Sequence, residues 1–292
     1  MTTAGAILRS MRPAQWLKNI LVFAPLIFAH QALERQALAR SLAVFCLFCL
    51  ASGAVYLVND LLDRASDREH PVKRRRPIAS GALSPAAAAA AAALIGAGSL
   101  GAATLLGRGA ALVLGIYLIV NLLYSRVLKH VVILDVMTLS SGFVLRVVAG
   151  GLAVGVPLST WLLLCTSLLA LFLGFGKRRH ELVLLEVNAS THRPILVEYS
   201  PYFLDQLIAV VTTSTLVTYT LYTMDPAVHL KLGTPYLPLT IPFVLYGIFR
   251  YLYLVHQKRE GGDPSQVIFG DRPLLINVLL WAATAFTILY YR

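Results

Sequence analysis

Apolar positions in this chain do not alternate with polar ones but run in long blocks, at approximately 14–32, 40–58, 84–106, 109–125, 131–151, 158–176, 205–224, 235–255 and 272–290. Each block is close to the roughly 17 to 25 residues that a helix needs to cross the hydrocarbon of a bilayer. The pattern predicts an all-α, polytopic membrane protein with nine transmembrane helices in a single domain over 1–292. Three polar intervals interrupt it, at 59–83, 177–204 and 256–272, and the remaining connections are short and bland.

Composition agrees: 58% of residues are hydrophobic and 13% charged, against roughly a quarter charged in soluble chains. The net charge of +11 is informative through its placement. With nine spans, eighteen Lys and Arg fall on the N-terminal side. Only Arg35, Arg40, Arg108, Lys231 and Arg292 fall on the other, and Arg146 and Arg250 lie at membrane depth. Cations collect on the cytoplasmic side, so the N-terminus and the loops after spans two, four, six and eight are expected there, at the plasma membrane. Cations confined to short loops argue against a nucleic-acid partner.

Some patterns carry less than they offer. Cys46, Cys49 and Cys165 lie within apolar blocks, with no second pair to complete a zinc site. "GAGSLG" at 96–101 matches a dinucleotide-binding expression, but it lies inside the alanine-rich span after Ser84-Pro85, with no strand before it. Close helix packing is the expected role of its glycines. Arg9 and Arg12 before an apolar run resemble a signal peptide, yet the run continues through Pro25 without a small-residue cleavage site.

The chemistry concentrates where the second block ends, in "YLVNDLLDRASDREHPVKRRRPIASG", residues 56–81. Asp60, Asp63 and Asp67 stand at i, i+3 and i+7, so a helix would carry them on one face, with Tyr56 and Asn59 a turn earlier. Like charges at this spacing repel. Hard oxygen ligands without soft ones suit Mg²⁺, which takes one or two carboxylates and completes its shell with substrate phosphates. The alternative is a solvated helix end whose acids pair with neighbouring arginines. Lys73, Arg74, Arg75 and Arg76 follow directly. Acids for a metal and bases for phosphate together describe a magnesium–diphosphate site.

"NDLLDRASD" at 59–67 resembles the first aspartate-rich motif of the UbiA superfamily of intramembrane prenyltransferases, and the nine-span pattern extends the resemblance over the chain. It implies a UbiA-type bundle in which Asn59, Asp60, Asp63 and Asp67 hold Mg²⁺ and a diphosphate. Where that family has a second acidic motif, this chain has "FGKRRHELVLLE" at 175–186, with Lys177, Arg178 and Arg179 ahead of Glu181 and Glu186. The departure resembles the polyprenyl-phosphate phosphoribosyltransferase branch, as do "RPAQWLKN" (12–19), "YSRVLKHVVILD" (124–135), "GFVLRVVAGG" (142–151) and "GGDP" (261–264). That branch implies transfer of 5-phosphoribose from 5-phosphoribosyl 1-diphosphate to a polyprenyl phosphate, such as decaprenyl phosphate, for cell-wall arabinan.

Substrate ligands expected on this reading are Lys18, Tyr56, Asn59, Lys73, Arg76, Tyr124, Ser125, Arg126, Lys129, Arg146, Lys177, Arg178 and Glu181. Either Lys177 with Arg178 or Lys73 with Arg76 would take the 5-phosphate. Lys18 serves equally as an interface anchor beside Trp16, and Tyr124 to Lys129 equally as a solvated loop. Arg146 is expected to bind the lipid phosphate. Its rival role, a pair with Asp135, spans eleven helical residues, about 16 Å. Arg250, nearer a span end, would snorkel, and "GGDP" reads as a turn. A homo-oligomer is compatible with the pattern. Competing functions are a prenyltransferase with an aromatic acceptor, which the Lys-Arg-Arg disfavours, and a transporter, which lacks its usual internal repeat.

Overall fold

The computed structural model describes residues 2–184, 194–258 and 261–291; Glu186, Arg193, Arg259 and Arg292 lie outside the described residues. Among the described residues eight α-helices are long and apolar enough to cross a bilayer, from Arg35–Leu62 to Arg272–Tyr290. The chain is a multi-pass helical membrane protein. It clusters into two compact units, Met1–Leu26 with Glu34–Pro157, and Ile27–Leu33 with Leu158–Arg292.

In the first unit, α1 (Thr3–Ser10) leads into a 3₁₀ segment, Pro13–Phe23; the short α2 (Ala24–Phe28) follows in sequence, its last residues belonging to the second unit. The first apolar block is therefore not the regular α-helix expected over 14–32. Pro25 has no N–H to donate to the Leu21 carbonyl, which takes Ala24 N–H instead, so the ladder stays in 3₁₀ register. Next come α3 (Arg35–Leu62), α4 (Arg64–Glu69), α5 (Pro85–Leu106), α6 (Arg108–Arg126) and α7 (Leu134–Val154).

Local signals set the boundaries. Ser84 Oγ accepts Ala87 N–H at 3.2 Å, and Pro85 occupies the first turn, so α5 begins where the polar interval ends. Gly155 closes α7 in a left-handed conformation, φ 69°. Phe48, Val55, Leu114, Tyr117 and Ala149 pack with Val22 in one core cluster. Ile78 and Leu83 anchor the polar interval on Leu57 and Ala88 in another.

The glycines of 96–101 do not make the expected close approach. A Cβ on Gly98 or Gly101 would meet nothing within 4 Å, and one on Gly96 only Ala54 at 3.8 Å. Gly150 makes it: a Cβ there would stand 2.0 Å from the Val22 carbonyl oxygen. The irregular 3₁₀ segment thus lies directly against the α7 backbone.

The second unit holds α8 (Thr160–Leu184), α9 (Pro201–Met224), α10 (Pro226–Leu232), α11 (Ile241–His256), α12 (Pro264–Gly270) and α13 (Arg272–Tyr290). Ser200, Asp225 and Asp271 cap α9, α10 and α13 with side-chain oxygens. Arg250 does not merely snorkel: its Nε and Nη2 reach the two Asp271 oxygens at 3.1 and 2.8 Å. Those hydrogen bonds hold the Asp271 carboxyl below the usual carboxylate range. Tyr290 Oη donates to Ile27 O at 2.9 Å, fastening the chain's last helix within this unit.

Candidate active site

The acid stripe does not lie on one unbroken helix. α3 ends at Asp63, with φ −90° and ψ 7°, and Asp67 belongs to α4. The hydrogen bonds Asp63 N–H to Asn59 O (2.9 Å) and Asp67 N–H to Asp63 O (2.8 Å) nevertheless carry the ladder across the break. Asp60 and Asp67 stay on one side, because a single nitrogen touches both. Arg76 Nη1 donates to Asp60 Oδ1 at 3.1 Å and to Asp67 Oδ2 at 2.6 Å.

Two further cations complete the cluster. Arg12 Nη2 donates to the same Asp60 Oδ1, and the guanidinium stacks on Tyr56, 4.7 Å from the ring centroid. Lys129, on the 3₁₀ turn Leu128–His130, places Nζ 2.6 Å from Asp63 Oδ1. Three acids are thus matched by three cations drawn from 48, 9 to 16, and 66 residues away. Like charges at helical spacing gain most from such pairing where water is scarce. Asp60 is only 1% exposed, yet its second oxygen, Oδ2, has no hydrogen-bond partner.

A ready-made cage from Asn59, Asp60, Asp63 and Asp67 is not what the structure holds. Among the described residues no three His, Cys, Asp or Glu side chains converge as metal ligands. Basic side chains already occupy the facing oxygens. The donor set still fits Mg²⁺ in a narrower sense: a buried, unpartnered carboxylate oxygen supplies one hard ligand, and substrate phosphates complete such shells.

The basic run divides by geometry. Lys73 is half-buried, Arg74 and Arg75 are exposed, and Arg76 turns onto Asp60 and Asp67. Tyr124 and Ser125 are not in a loop as expected; both are buried in the last turn of α6, with Ser125 Oγ bonded to Asn121 O at 2.8 Å. Arg126 is exposed at the helix end. Lys18 lies half-buried on the 3₁₀ segment.

Arg146 is 6% exposed and commits Nε to Asn19 Oδ1 (2.7 Å), Nη1 to Gly142 O (2.6 Å) and Nη2 to Tyr117 Oη (3.1 Å). It also lies over the Tyr117 and Phe143 rings. The side chain ties the 3₁₀ segment to α6 and α7. Arg146→Met is expected to lower thermal stability by about 2 to 3 kcal/mol, because Asn19 and Tyr117 lose their partner. Unfolding in detergent, followed by fluorescence, measures it.

In the second unit, Arg178 is buried and paired with Glu181, while Lys177 is 37% exposed with Nζ 4.0 Å from Glu181 Oε1. Arg179 pairs with Asp205, which also faces His256 Nε2 at 3.2 Å. A Cβ on Gly261 or Gly262 would stand 3.0 Å from His180, so the "GGDP" turn rests on that side chain through its bare glycines. Glu186 lies outside the described residues.

The UbiA prenyltransferase family profile matches residues 20–279. The chain belongs to that family. Within the UbiA family, it is 36% identical to the decaprenyl-phosphate phosphoribosyltransferase of Corynebacterium glutamicum, over 95% of this chain and 85% of that protein. It is 35% identical to the enzyme of the same name from Mycolicibacterium smegmatis, over 98% and 93%. A UbiA homologue from Archaeoglobus fulgidus, solved with DMAPP and Mg²⁺ bound, superposes with a TM-score of 0.74 at 18% identity, covering 98% of this chain and 99% of that one. The UbiA fold is therefore shared, with a basic stretch at 177–179 in the second unit.

The sequence counts Arg12 among the cytoplasmic cations and within "RPAQWLKN", but not among the expected substrate ligands. The available signal was its place directly before Pro13, where an ordinary residue is steered to extended backbone. Arg12 instead has φ 54° and ψ 67°. Asp205 and His256 were missed because their pairing joins α8, α9 and α11, which no local pattern records.

Proposed function

We propose that this UbiA protein transfers 5-phosphoribose from 5-phosphoribosyl 1-diphosphate to a polyprenyl phosphate, releasing pyrophosphate. The observation that carries the reading is 35 to 36% identity over at least 95% of the chain to relatives named decaprenyl-phosphate phosphoribosyltransferase. The names of the same relatives support a decaprenyl acceptor, and a role in cell-wall arabinan is what the resemblance to that branch implies. The cation asymmetry supports a protein with its reactive loops on the cytoplasmic side, and the plasma membrane is the proposed location.

The chemistry asks little of a general base. The acceptor phosphate is already ionised; its oxygen bonds to ribose C1 as the bond from C1 to the diphosphate oxygen breaks, and the electron pair leaves with pyrophosphate. What the protein supplies is charge placed where charge develops. Arg76 and Lys129, beside Asp60, Asp67 and Asp63, are positioned to neutralise diphosphate oxygens. Mg²⁺ held by Asp60, with Asp63 and Asp67 in support, would stabilise the departing pyrophosphate. Within the second unit, Lys177, the more exposed member of its cluster, is a candidate phosphate ligand, while Arg178 is buried against Glu181.

Purified protein in detergent, given Mg²⁺, labelled donor and polyprenyl phosphate, is expected to move label into the lipid phase. A chelator is expected to abolish the transfer and added Mg²⁺ to restore it. Turnover of a prenyl diphosphate with an aromatic acid, and none of the phosphoribosyl donor, would reverse the assignment.

A further inference from the structure

Arg12 is strained and occupied at once. Left-handed backbone is costly for a residue with a side chain, and more so directly before proline. Such outliers persist where the surroundings impose them, often at ligand sites. Here the conformation directs a guanidinium across the Tyr56 ring to Asp60, in a position still partly open to solvent. Asp60 Oδ1 receives both Arg12 and Arg76, while buried Oδ2 receives nothing. A buried carboxylate with two cations on one oxygen and none on the other is satisfied in charge but not in coordination.

We propose that Arg12 is a donor-binding residue parked on Asp60 in the substrate-free protein, and that this parking makes a diphosphate the precondition for divalent-metal binding. The inference rests on the magnesium–diphosphate reading of this cluster. With Arg12 and Arg76 on Asp60 and Lys129 on Asp63, a free divalent cation meets a cluster of three acids and three bases, with no net negative charge to attract it. A diphosphate offers the arginines a second anion, suited to their planar donors. Once Arg12 turns to phosphate, Arg76 alone remains on Asp60 Oδ1, and the buried Oδ2 faces one positive charge fewer. Metal and donor therefore bind together, and metal alone binds weakly.

The test is Mn²⁺ binding to the full chain in detergent, by electron paramagnetic resonance at buffered free Mn²⁺, with and without pyrophosphate. Wild type is expected to bind Mn²⁺ at least about tenfold more tightly with pyrophosphate present. Arg12→Gln is expected to bind Mn²⁺ alone about tenfold more tightly than wild type, since a nearby positive charge is gone. Arg12→Lys, which keeps the charge, is expected to stay near wild type. Equal Mn²⁺ affinity in wild type and Arg12→Gln, with pyrophosphate coupling intact, would overturn the role of Arg12 and leave the site reading standing. Equal shifts in Arg12→Gln and Arg12→Lys would assign the effect to lost packing and overturn it too. No Mn²⁺ binding under either condition would remove both the proposal and the metal–diphosphate site beneath it.

Discussion

Replacing Asp60 by Asn is expected to lower transfer of labelled phosphoribose into lipid by about a thousandfold, with the protein still folded. Asn keeps the shape of the side chain and removes its charge. Two arginines then face each other across a neutral amide, and the buried oxygen proposed for the metal becomes a weaker ligand. Loss of one preorganised electrostatic group costs on the order of a hundred- to a thousandfold in other active sites. Asp60 stands at the upper end because it serves both the metal and the two cations. The fold is expected to tolerate the change: Arg12 and Arg76 are 29% and 26% exposed and can turn to water. Initial rates at saturating Mg²⁺ give the measurement, with exposed Arg75→Gln as the unaffected comparison. An Asp60→Asn rate within threefold of wild type would reduce Asp60 to an anchor for arginines.

Gly150→Ala is expected to have the largest effect on stability. Its methyl group would stand 2.0 Å from the Val22 carbonyl oxygen, and the obstacle is backbone, which cannot swing aside. Relief requires the 3₁₀ segment to move away from α7 by about an ångström or more, against a packed core. Overpacking of this kind costs about 3 kcal/mol, a fall in Tm of roughly 6 to 12 °C for a chain of this size. Because the same segment begins next to Arg12 and carries Lys18, transfer is expected to fall in step. Gly98→Ala, open on all sides, is the control and is expected to match or slightly exceed wild-type stability. A Gly150→Ala protein as stable as Gly98→Ala would mean that the segment is free to shift.

The membrane spans were legible because a transmembrane helix is a local object: length and hydropathy suffice, and eight of nine expected blocks coincide with apolar α-helices among the described residues. The first block departs: Pro25 withholds a donor from Leu21 O, and the 3₁₀ segment lies against Gly150 in a contact across 128 residues. The acids were legible too, since Asp60, Asp63 and Asp67 are near neighbours and oxygen ligands beside a basic run narrow the chemistry. Which cations meet them was not. From the adjacent run Arg76 meets Asp60 and Asp67, while Arg12 comes from a segment counted for topology and Lys129 from one expected either to bind substrate or to form a solvated loop.

The sequence by itself determined an apolar helical chain with one acidic stripe and an altered, basic second motif. Those follow from residue type and short-range periodicity. Only the tertiary structure decided that each acid of the stripe is held by a cation, that Asp60 keeps one buried oxygen without a hydrogen-bond partner, and that Arg146 ties the 3₁₀ segment to α6 and α7. Those depend on where distant backbone segments come to rest, and in a low-dielectric interior that placement governs how strongly charges act on one another.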